Sequence, residues 1–259
     1  MRRGLVALIP ALAFAAASCR RDERPQAANG FLAEVKSALA DRERRLTSFR
    51  VEGVVREAGR EAPFETAFRA PNRVRGALRA GSGRTLSFDG SKLYELDPQA
   101  KTLVTYEPGR GAAVALTQLL GAFVPEGYRV PVIDLATATA RKSSHPRGPE
   151  VVELSSETRD EQNQSVRVTY LLRWPSGDFL EKRLTAYGRT MVLRVEEEQC
   201  DQRLRLCVPR KIAQAYDGAP GAVTTLSRIE LGAAIAIPEF TLAAPEGFAV
   251  RTLPLPAAR

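Results

Sequence analysis

The chain has 259 residues, of which 44% are hydrophobic and 26% are charged, and 38 basic against 30 acidic side chains give it a formal net charge of +8. This length suits one β-rich domain or two small ones, with enough apolar residues for a substantial core. The basic residues are spread along the chain, and no helix-turn-helix, zinc finger or aromatic-basic platform occurs, so nucleic acid is not an expected partner.

The N-terminus has the order of a lipoprotein signal peptide. Two arginines, an apolar stretch at 4–15 and three small residues precede Cys19. A cysteine directly after a small-residue cleavage site supplies a thiol that is acylated. The apolar stretch is too short for a stable transmembrane helix, and Pro10 interrupts it. We predict a signal peptide at 1–18 and a lipidated Cys19 that holds the mature chain to a membrane; an ordinary signal peptide with a chance cysteine is the alternative.

A polar tether and an amphipathic helix are predicted next. Residues 19–30 have no apolar period, as in a flexible linker. In 31–46, by contrast, the apolar residues recur at helical spacing, with the charged residues on the opposite side. The apolar residues are Phe31, Leu32, Val35, Ala38, Leu39 and Leu46, and the opposite side carries Glu34, Lys36, Asp41, Arg42 and Arg45. Such a helix needs an apolar surface to lie on.

The period then changes to two. Apolar and polar residues alternate through 49–106 in six short runs separated by tight-turn signals such as Asp89-Gly90 and Asp97-Pro98, which predicts an antiparallel meander. At 111–123 the apolar residues cluster on one side of a short predicted helix. Alternation resumes from 151 to 237, while the proline-containing segment 140–149 is predicted to be an exposed loop.

Counting these runs gives ten to twelve strands and few helices. An antiparallel sheet of that size curls, and its concave face must be filled by side chains, covered by helices, or left as an apolar cavity. The scarcity of covering helices favours a ligand cavity, although the same periodicity also suits a tightly filled barrel.

Cys200 and Cys207 enclose only six residues in a chain that is predicted to be exported to an oxidising compartment. We expect them to form a disulfide that staples a hairpin, worth about 2 to 3 kcal/mol in the chain-entropy model. A zinc site is the weaker alternative, because the spacing is not that of a zinc knuckle and the only histidine, His145, is far along the chain.

Three segments, in order, resemble the Lol-type superfamily of periplasmic lipoprotein carriers and outer-membrane lipoprotein receptors. The first is a Pro-Asn pair at 71–72 followed by an Asp-Gly turn, an aromatic-bearing strand and an Asp-Pro turn within 86–98. The others are the acidic strand end at 192–202 and the closing strand phrase at 237–250. The resemblance implies a half-closed, strongly curved antiparallel sheet, an incomplete barrel, with short helices over a concave face that receives acyl chains. The carriers hold their helical lid shut with an arginine where this chain has Ala70.

Two sets of residues are candidates for an acyl-chain cavity, because acyl chains need a continuous apolar wall and few directional bonds. The predicted wall consists of Phe49, Val51, Phe64, Phe68, Leu86 and Phe88, and the predicted cover of Leu116, Leu119, Leu120 and Phe123. The alternative is that these residues form an ordinary filled core.

No candidate for catalysis stands out, because the chain has one histidine, no nucleophile-elbow serine, no phosphate-binding glycine loop and no paired metal ligands. We therefore expect no enzyme, cofactor or metal site. The sequence predicts a Lol-like domain at 31–259 in a lipid-anchored envelope protein, facing the periplasm at the outer membrane, that binds acyl chains of lipoproteins or lipids and assists their transport or placement. The alternative is a non-catalytic module that binds another envelope protein and no lipid.

Overall fold

The computed structural model describes residues 30–79, 81, 83–107, 124–131, 133, 135–145, 148–160 and 162–254. This part of the chain contains one α-helix, α1 (Gly30–Arg45), and one 3-10 helix (Ile237–Phe240). The predicted helix at 31–46 is therefore confirmed to within one residue at each end. The predicted signal peptide, Cys19, the helix at 111–123 and all but the last residue of the tether lie outside the described residues.

A single sheet contains all fourteen strands of the described residues. They are β1 (Ser48–Glu57), β2 (Arg60–Arg69), β3 (Arg73–Leu78), β4 (Thr85–Phe88), β5 (Leu93–Asp97), β6 (Thr102–Glu107), β7 (Thr139–His145), β8 (Gly148–Arg159), β9 (Ser165–Arg173), β10 (Asp178–Ala186), β11 (Arg189–Asp201), β12 (Leu206–Tyr216), β13 (Ala219–Leu231) and β14 (Ala249–Pro254). Their order is β14-β6-β5-β4-β3-β2-β1-β13-β12-β11-β10-β9-β8-β7. The two ends of this order do not pair, so the curved sheet is an incomplete barrel, as predicted.

Two strands exceed the predicted count. The segment predicted as a loop at 140–149 instead contributes to the hairpin of β7 and β8, with Thr139 opposite Ser155 and Lys142 opposite Val152. The alternation rule missed β7 because it is an edge strand, and both Arg141 and Lys142 are exposed. The last strand, β14, was not counted from alternation, since all six of its residues are exposed, whereas the resemblance implied a last strand in the closing phrase.

The pairing of β14 with β6 is parallel, whereas the other pairs of described strands are antiparallel. The prediction of a purely antiparallel sheet is therefore wrong at this edge. The cause is the segment 232–248, here called the strap, which crosses the outer face of the sheet from β13 to β6. The Arg50 guanidinium pairs with Glu239 at 2.7 Å, and the Ser87 hydroxyl donates to the Phe240 carbonyl at 2.6 Å. Because the strap crosses the whole meander before pairing begins, β14 runs along the edge in the same direction as β6.

The sheet has two faces with different coverings. On the outer face, the strap buries Phe240 completely against Ala67 and Ile235. The other face, here called the inner face, carries α1 and two clusters of buried apolar residues. The inner face is therefore the one that corresponds to the predicted ligand wall.

The strap gives a pH-dependent contribution to stability. The Arg50 hydrogen bond is the main cause that lowers the pKa of Glu239 below its ordinary value of 4.5. A carboxyl whose pKa is lower in the folded state stabilises the protein above its ordinary pKa, and this stabilisation is lost as the pH falls through the folded value. We expect Glu239→Gln to flatten the fall in urea-unfolding midpoint between pH 6 and pH about 3. Glu246→Gln, an exposed change in the same segment, is the control and should keep the wild-type pH dependence.

Candidate functional site

Helix α1 covers one half of the inner face. Its residues Val35 and Leu39 are each 2% exposed and pack against a cluster that includes Tyr170, Leu172 and Phe179 from β9 and β10. At the start of the helix, the Phe31 ring meets Trp174 edge-on, with centroids 5.3 Å apart. We call this group the helix-covered cluster. It is the apolar surface that the amphipathic helix was predicted to need.

The second cluster lies under β1 to β5. Phe49 is its centre, stacked on Phe68 at 5.2 Å and tilted against Tyr128 at 4.9 Å between ring centroids. The Tyr128 hydroxyl donates a hydrogen bond to the Pro209 carbonyl at 3.0 Å, and burial raises the pKa of this phenol. The Arg129 guanidinium lies 4.4 Å from the Phe68 ring centroid, in cation-π geometry. We call this group the packed cluster. It fills its part of the inner face with the protein's own aromatic rings.

All six residues of the predicted wall are described, and they lie on the inner face. In the register of β1 and β2, Phe49 pairs with Phe68, and two residues further along each strand Val51 lies opposite Thr66. Four of them are buried in the packed cluster, namely Phe49, Val51, Phe68 and Phe88. The other two, Phe64 and Leu86, are partly exposed. The predicted cover, Leu116, Leu119, Leu120 and Phe123, lies outside the described residues. Whether the wall receives a ligand stays a prediction.

The inner face is less buried toward the rim of the sheet that is farthest from the end of α1. On one side, Phe64 lies opposite Leu78, which is 47% exposed. On the other side, a row runs across four strands from Val168 through Leu184 and Met191 to Tyr216, all of them partly or well exposed. We call these residues, with Leu86 and Leu193, the open band. The sequence indicated the alternation of these strands but not which of their residues would escape coverage.

Arg42 attaches α1 to the rest of the domain. Its side chain is 2% exposed, with Nε 3.3 Å from Oδ1 of the equally buried Asp178. Its Nη2 donates to the carbonyl of Gly127 at 2.6 Å and to that of Cys207 at 3.3 Å. Gly127 has a φ of +84° and a Cβ there would lie 2.8 Å from Phe179, so only glycine brings this carbonyl so close. The guanidinium thus joins three segments that are distant in sequence.

The prediction that Arg42 faces solvent is wrong. Desolvation lowers the pKa of Arg42, and the neighbouring Asp178 carboxylate acts in the opposite direction. Asp178 is also held by the Ser176 hydroxyl at 2.7 Å and by Arg173 at 3.5 Å. Helical spacing placed Arg42 on the charged side of the helix. Its burial depends on pairing with Asp178, which is 136 positions away, so no local pattern predicts it.

The cavities found among the described residues are small. One, of about 40 Å³, lies beneath the strap on the outer face, between Arg50, Arg75 and Glu239. The other, of about 10 Å³, lies at the seam of α1 near Leu39 and Gly127. Typical small-molecule pockets have volumes of ~300–1,000 Å³. Neither of these two cavities is large enough for an acyl chain.

The disulfide between Cys200 and Cys207 is confirmed, with the two residues directly opposite each other in the hairpin of β11 and β12. Within the described residues there is no group of three or more histidine, cysteine, aspartate or glutamate side chains that could hold a metal ion. Among the same residues, no helix has the length and apolar character needed to cross a membrane.

No protein-family profile matches this sequence, and no curated protein is similar to it in sequence. Similarity appears in solved structures. A domain from Vibrio parahaemolyticus assigned to outer membrane lipoprotein sorting superposes with a TM-score of 0.55 at 10% identity, over 81% of this chain and 97% of that one. A DUF1329 family protein from Desulfovibrio piger gives a TM-score of 0.53 at 10% identity, over 80% and 97%.

A LolA superfamily protein from Nitrosomonas europaea gives a TM-score of 0.50 at 13% identity, again over 80% of this chain and 97% of that one. These structures define the class of fold: the chain has the LolA/LolB-like fold. The predicted resemblance is confirmed at that level.

Removing the Arg42 side chain should weaken the attachment of α1. We expect Arg42→Met to lower the free energy of unfolding by about 3 kcal/mol, because it removes the buried ion-pair partner of Asp178 and the side-chain donor of the Gly127 and Cys207 carbonyls. Urea denaturation measures the change. Arg44→Met is the matched control on the same helix, since the Arg44 side chain is 70% exposed and pairs only with Asp41 among the described contacts. Equal effects of the two substitutions would contradict the role of Arg42.

Proposed function

We propose that this protein is a lipid-anchored, non-catalytic envelope protein that binds acyl chains or lipoproteins on the inner face of its sheet and assists their transport or their placement in the outer membrane. The observation that carries the proposal is the open band, a row of apolar side chains left partly exposed beside a helix-covered apolar cluster. On β9 to β12 the open band lies beside the helix-covered cluster, and Lys182, which pairs with Glu126, lies at their boundary on β10.

The chemistry of the open band suits an acyl chain. Val168, Leu184 and Met191 offer apolar contact, and Tyr216 adds an aromatic ring at the rim. The Gln214 amide is the polar group beside them, and it donates to the Met191 sulfur and the Tyr216 hydroxyl. Each methylene removed from water contributes ~0.8 kcal/mol without any directional bond. Methionine side chains also adapt to ligands of differing shape. A surface of this kind selects for apolar length rather than for a particular head group.

The described conformation corresponds to a closed state. Full burial of an acyl chain requires α1 to move, since the helix occupies the apolar surface next to the open band. The attachment of α1 depends on a few directional contacts around Arg42 in addition to its apolar residues. A cover held in this way leaves as a unit when those contacts break, which provides a route for loading and release.

The fold supports the same proposal. The Vibrio parahaemolyticus domain with the same fold is assigned to outer membrane lipoprotein sorting. The N-terminal sequence is consistent with that setting, because residues 1–18 have the order of a signal peptide, Cys19 follows its small residues, and residues 19–30 have the polar composition of a tether. We propose that the domain from residue 31 to 259 faces the periplasm from this anchor.

A second candidate is an interaction module that binds another envelope protein and no lipid. The packed cluster favours it, because Phe49, Phe68 and Tyr128 fill the inner face under β1 to β5 with the protein's own side chains. On this interpretation the open band is a contact surface for a partner protein.

The two candidates differ in lipid uptake. We expect the protein carrying Cys19→Ala, purified without detergent, to take up a fluorescent fatty-acid probe and to retain lipid in native mass spectrometry. Leu184→Glu should weaken uptake by about tenfold or more, because it places a charge on the apolar surface. Thr185→Glu is the control, since this exposed neighbour points to the outer face.

Three results would separate the interpretations. Loss of uptake in Leu184→Glu alone, with similar unfolding midpoints for both variants, supports acyl-chain binding at the open band. Equal uptake by both variants places the ligand elsewhere. No uptake and no retained lipid in the parent protein contradicts the carrier and favours the interaction module.

The anchor is tested separately. Without the thiol of Cys19 no acyl chain can be attached, so we expect Cys19→Ala to move the exported protein from the membrane fraction to the soluble periplasmic fraction. Radiolabelled palmitate incorporated into the wild type should be absent from the variant. Equal labelling of both proteins would contradict acylation at this position.

A further inference from the structure

We propose that the disulfide-closed hairpin tip, residues 200–207, is a clasp that holds the C-terminal end of α1 on the inner face, and that reduction of Cys200–Cys207 releases this end. The clasp rests on contacts that are independent of ligand. Its consequence, that the redox state of the hairpin controls access to the inner face, rests on the proposed function.

The last turn of α1 is bonded to the backbone of this tip. Arg45 donates to the Leu204 carbonyl at 2.8 Å and also contacts the carbonyl oxygen of Arg205. Arg42 donates to the carbonyl of Cys207 at 3.3 Å. The two arginines at the end of the helix therefore bond to three carbonyls within four residues of the hairpin.

Apolar contacts accompany these bonds. Leu206 and Val208, at 2% and 0% exposure, belong to the packed cluster that also contains Leu46, the residue directly after α1. Leu204 packs against the same cluster. The hairpin tip is thus held between the end of the helix and the aromatic centre of the inner face.

The disulfide matters because the ladder beside it is irregular. The pairing of β11 with β12 shifts register between Val195 and Glu197, and again between Glu197 and Glu198, just before Cys200 meets Cys207. Such bulges interrupt the ladder hydrogen bonds, and a slip of β12 by one residue would turn the Cys207 carbonyl away from Arg42. A covalent link beyond the bulges fixes this register, and with it the position of the turn that carries the Leu204 and Arg205 carbonyls.

The disulfide is also accessible from solvent, since Cys200 is exposed while Cys207 is partly buried. The proposed reductant is a dithiol, of a small molecule or of a redox protein. One thiolate of the dithiol attacks Sγ of Cys200 and displaces the Cys207 thiolate, which takes up a proton. The second thiolate of the dithiol then attacks the dithiol sulfur of the mixed disulfide and displaces the Cys200 thiolate, which takes up a proton. The dithiol becomes a disulfide, and both cysteines become thiols.

Hydrogen exchange of the Cys19→Ala protein tests the clasp. We expect amides of 41–46 to exchange about 10- to 100-fold faster after treatment with dithiothreitol, and equally in Cys200→Ser/Cys207→Ser, while paired amides of β1 and β2 keep their rates. Arg45→Ala should reproduce the effect in the oxidised protein. Arg44→Ala, which removes an exposed arginine without a hairpin contact, should not.

Unchanged exchange in 41–46 on reduction would overturn the clasp. A uniform increase across β1, β2 and α1 would also overturn it, since the disulfide would then be a general staple. Uptake of the fatty-acid probe is measured in parallel. Faster exchange in α1 with faster uptake supports both the clasp and the proposed function, whereas faster exchange with unchanged uptake supports the clasp and counts against α1 as the cover of a lipid site.

Discussion

The buried guanidinium of Arg42 is the interaction on which the arrangement of the inner face depends. A charge taken out of water is costly, and Asp178 with the carbonyls of Gly127 and Cys207 offsets that cost only while all of them stay in place. Buried pairs of this kind contribute little net stability compared with apolar packing, but separating the partners is strongly destabilising. Partial displacement of the helix would therefore leave several polar groups unpaired.

The two faces of the sheet are closed by different physical means. On the outer face the strap is held by arginine contacts at its backbone and at Glu239, and its apolar residues, including Phe240, are buried beneath it. It joins consecutive parts of one continuous chain between β13 and β14, so it cannot leave without breaking the β14 ladder. On the inner face α1 is joined to the sheet only through its C-terminal end, which leads directly into β1. Displacement of the cover is therefore physically simpler on the inner face, where the open band lies.

Much of the sheet followed from the sequence because strand periodicity is local. The alternation at 49–106 gave the meander, and parity along each strand put Phe49, Val51, Phe64 and Phe68 on one face. Features that depend on distant partners did not follow. The parallel edge pairing results from a strap whose path is set by the outer face, the β7 edge lacks an apolar alternation, and the burial of Arg42 requires Asp178 from another hairpin. The face occupied by the candidate site was thus predictable, while the degree of its coverage was not.

The division of the inner face into a packed and an open part limits how a ligand can be held. Displacing Phe49 or Tyr128 would open a cavity inside a close-packed cluster, which costs several times more than exposing partly solvated residues. On the proposed function, an acyl chain gains most by lying along the open band first and then extending beneath α1, where apolar surface already exists and only the helix must shift. Cluster and band have distinct roles in this view: the packed aromatic rings keep the sheet curved and fixed, and the neighbouring strands supply the exchangeable surface.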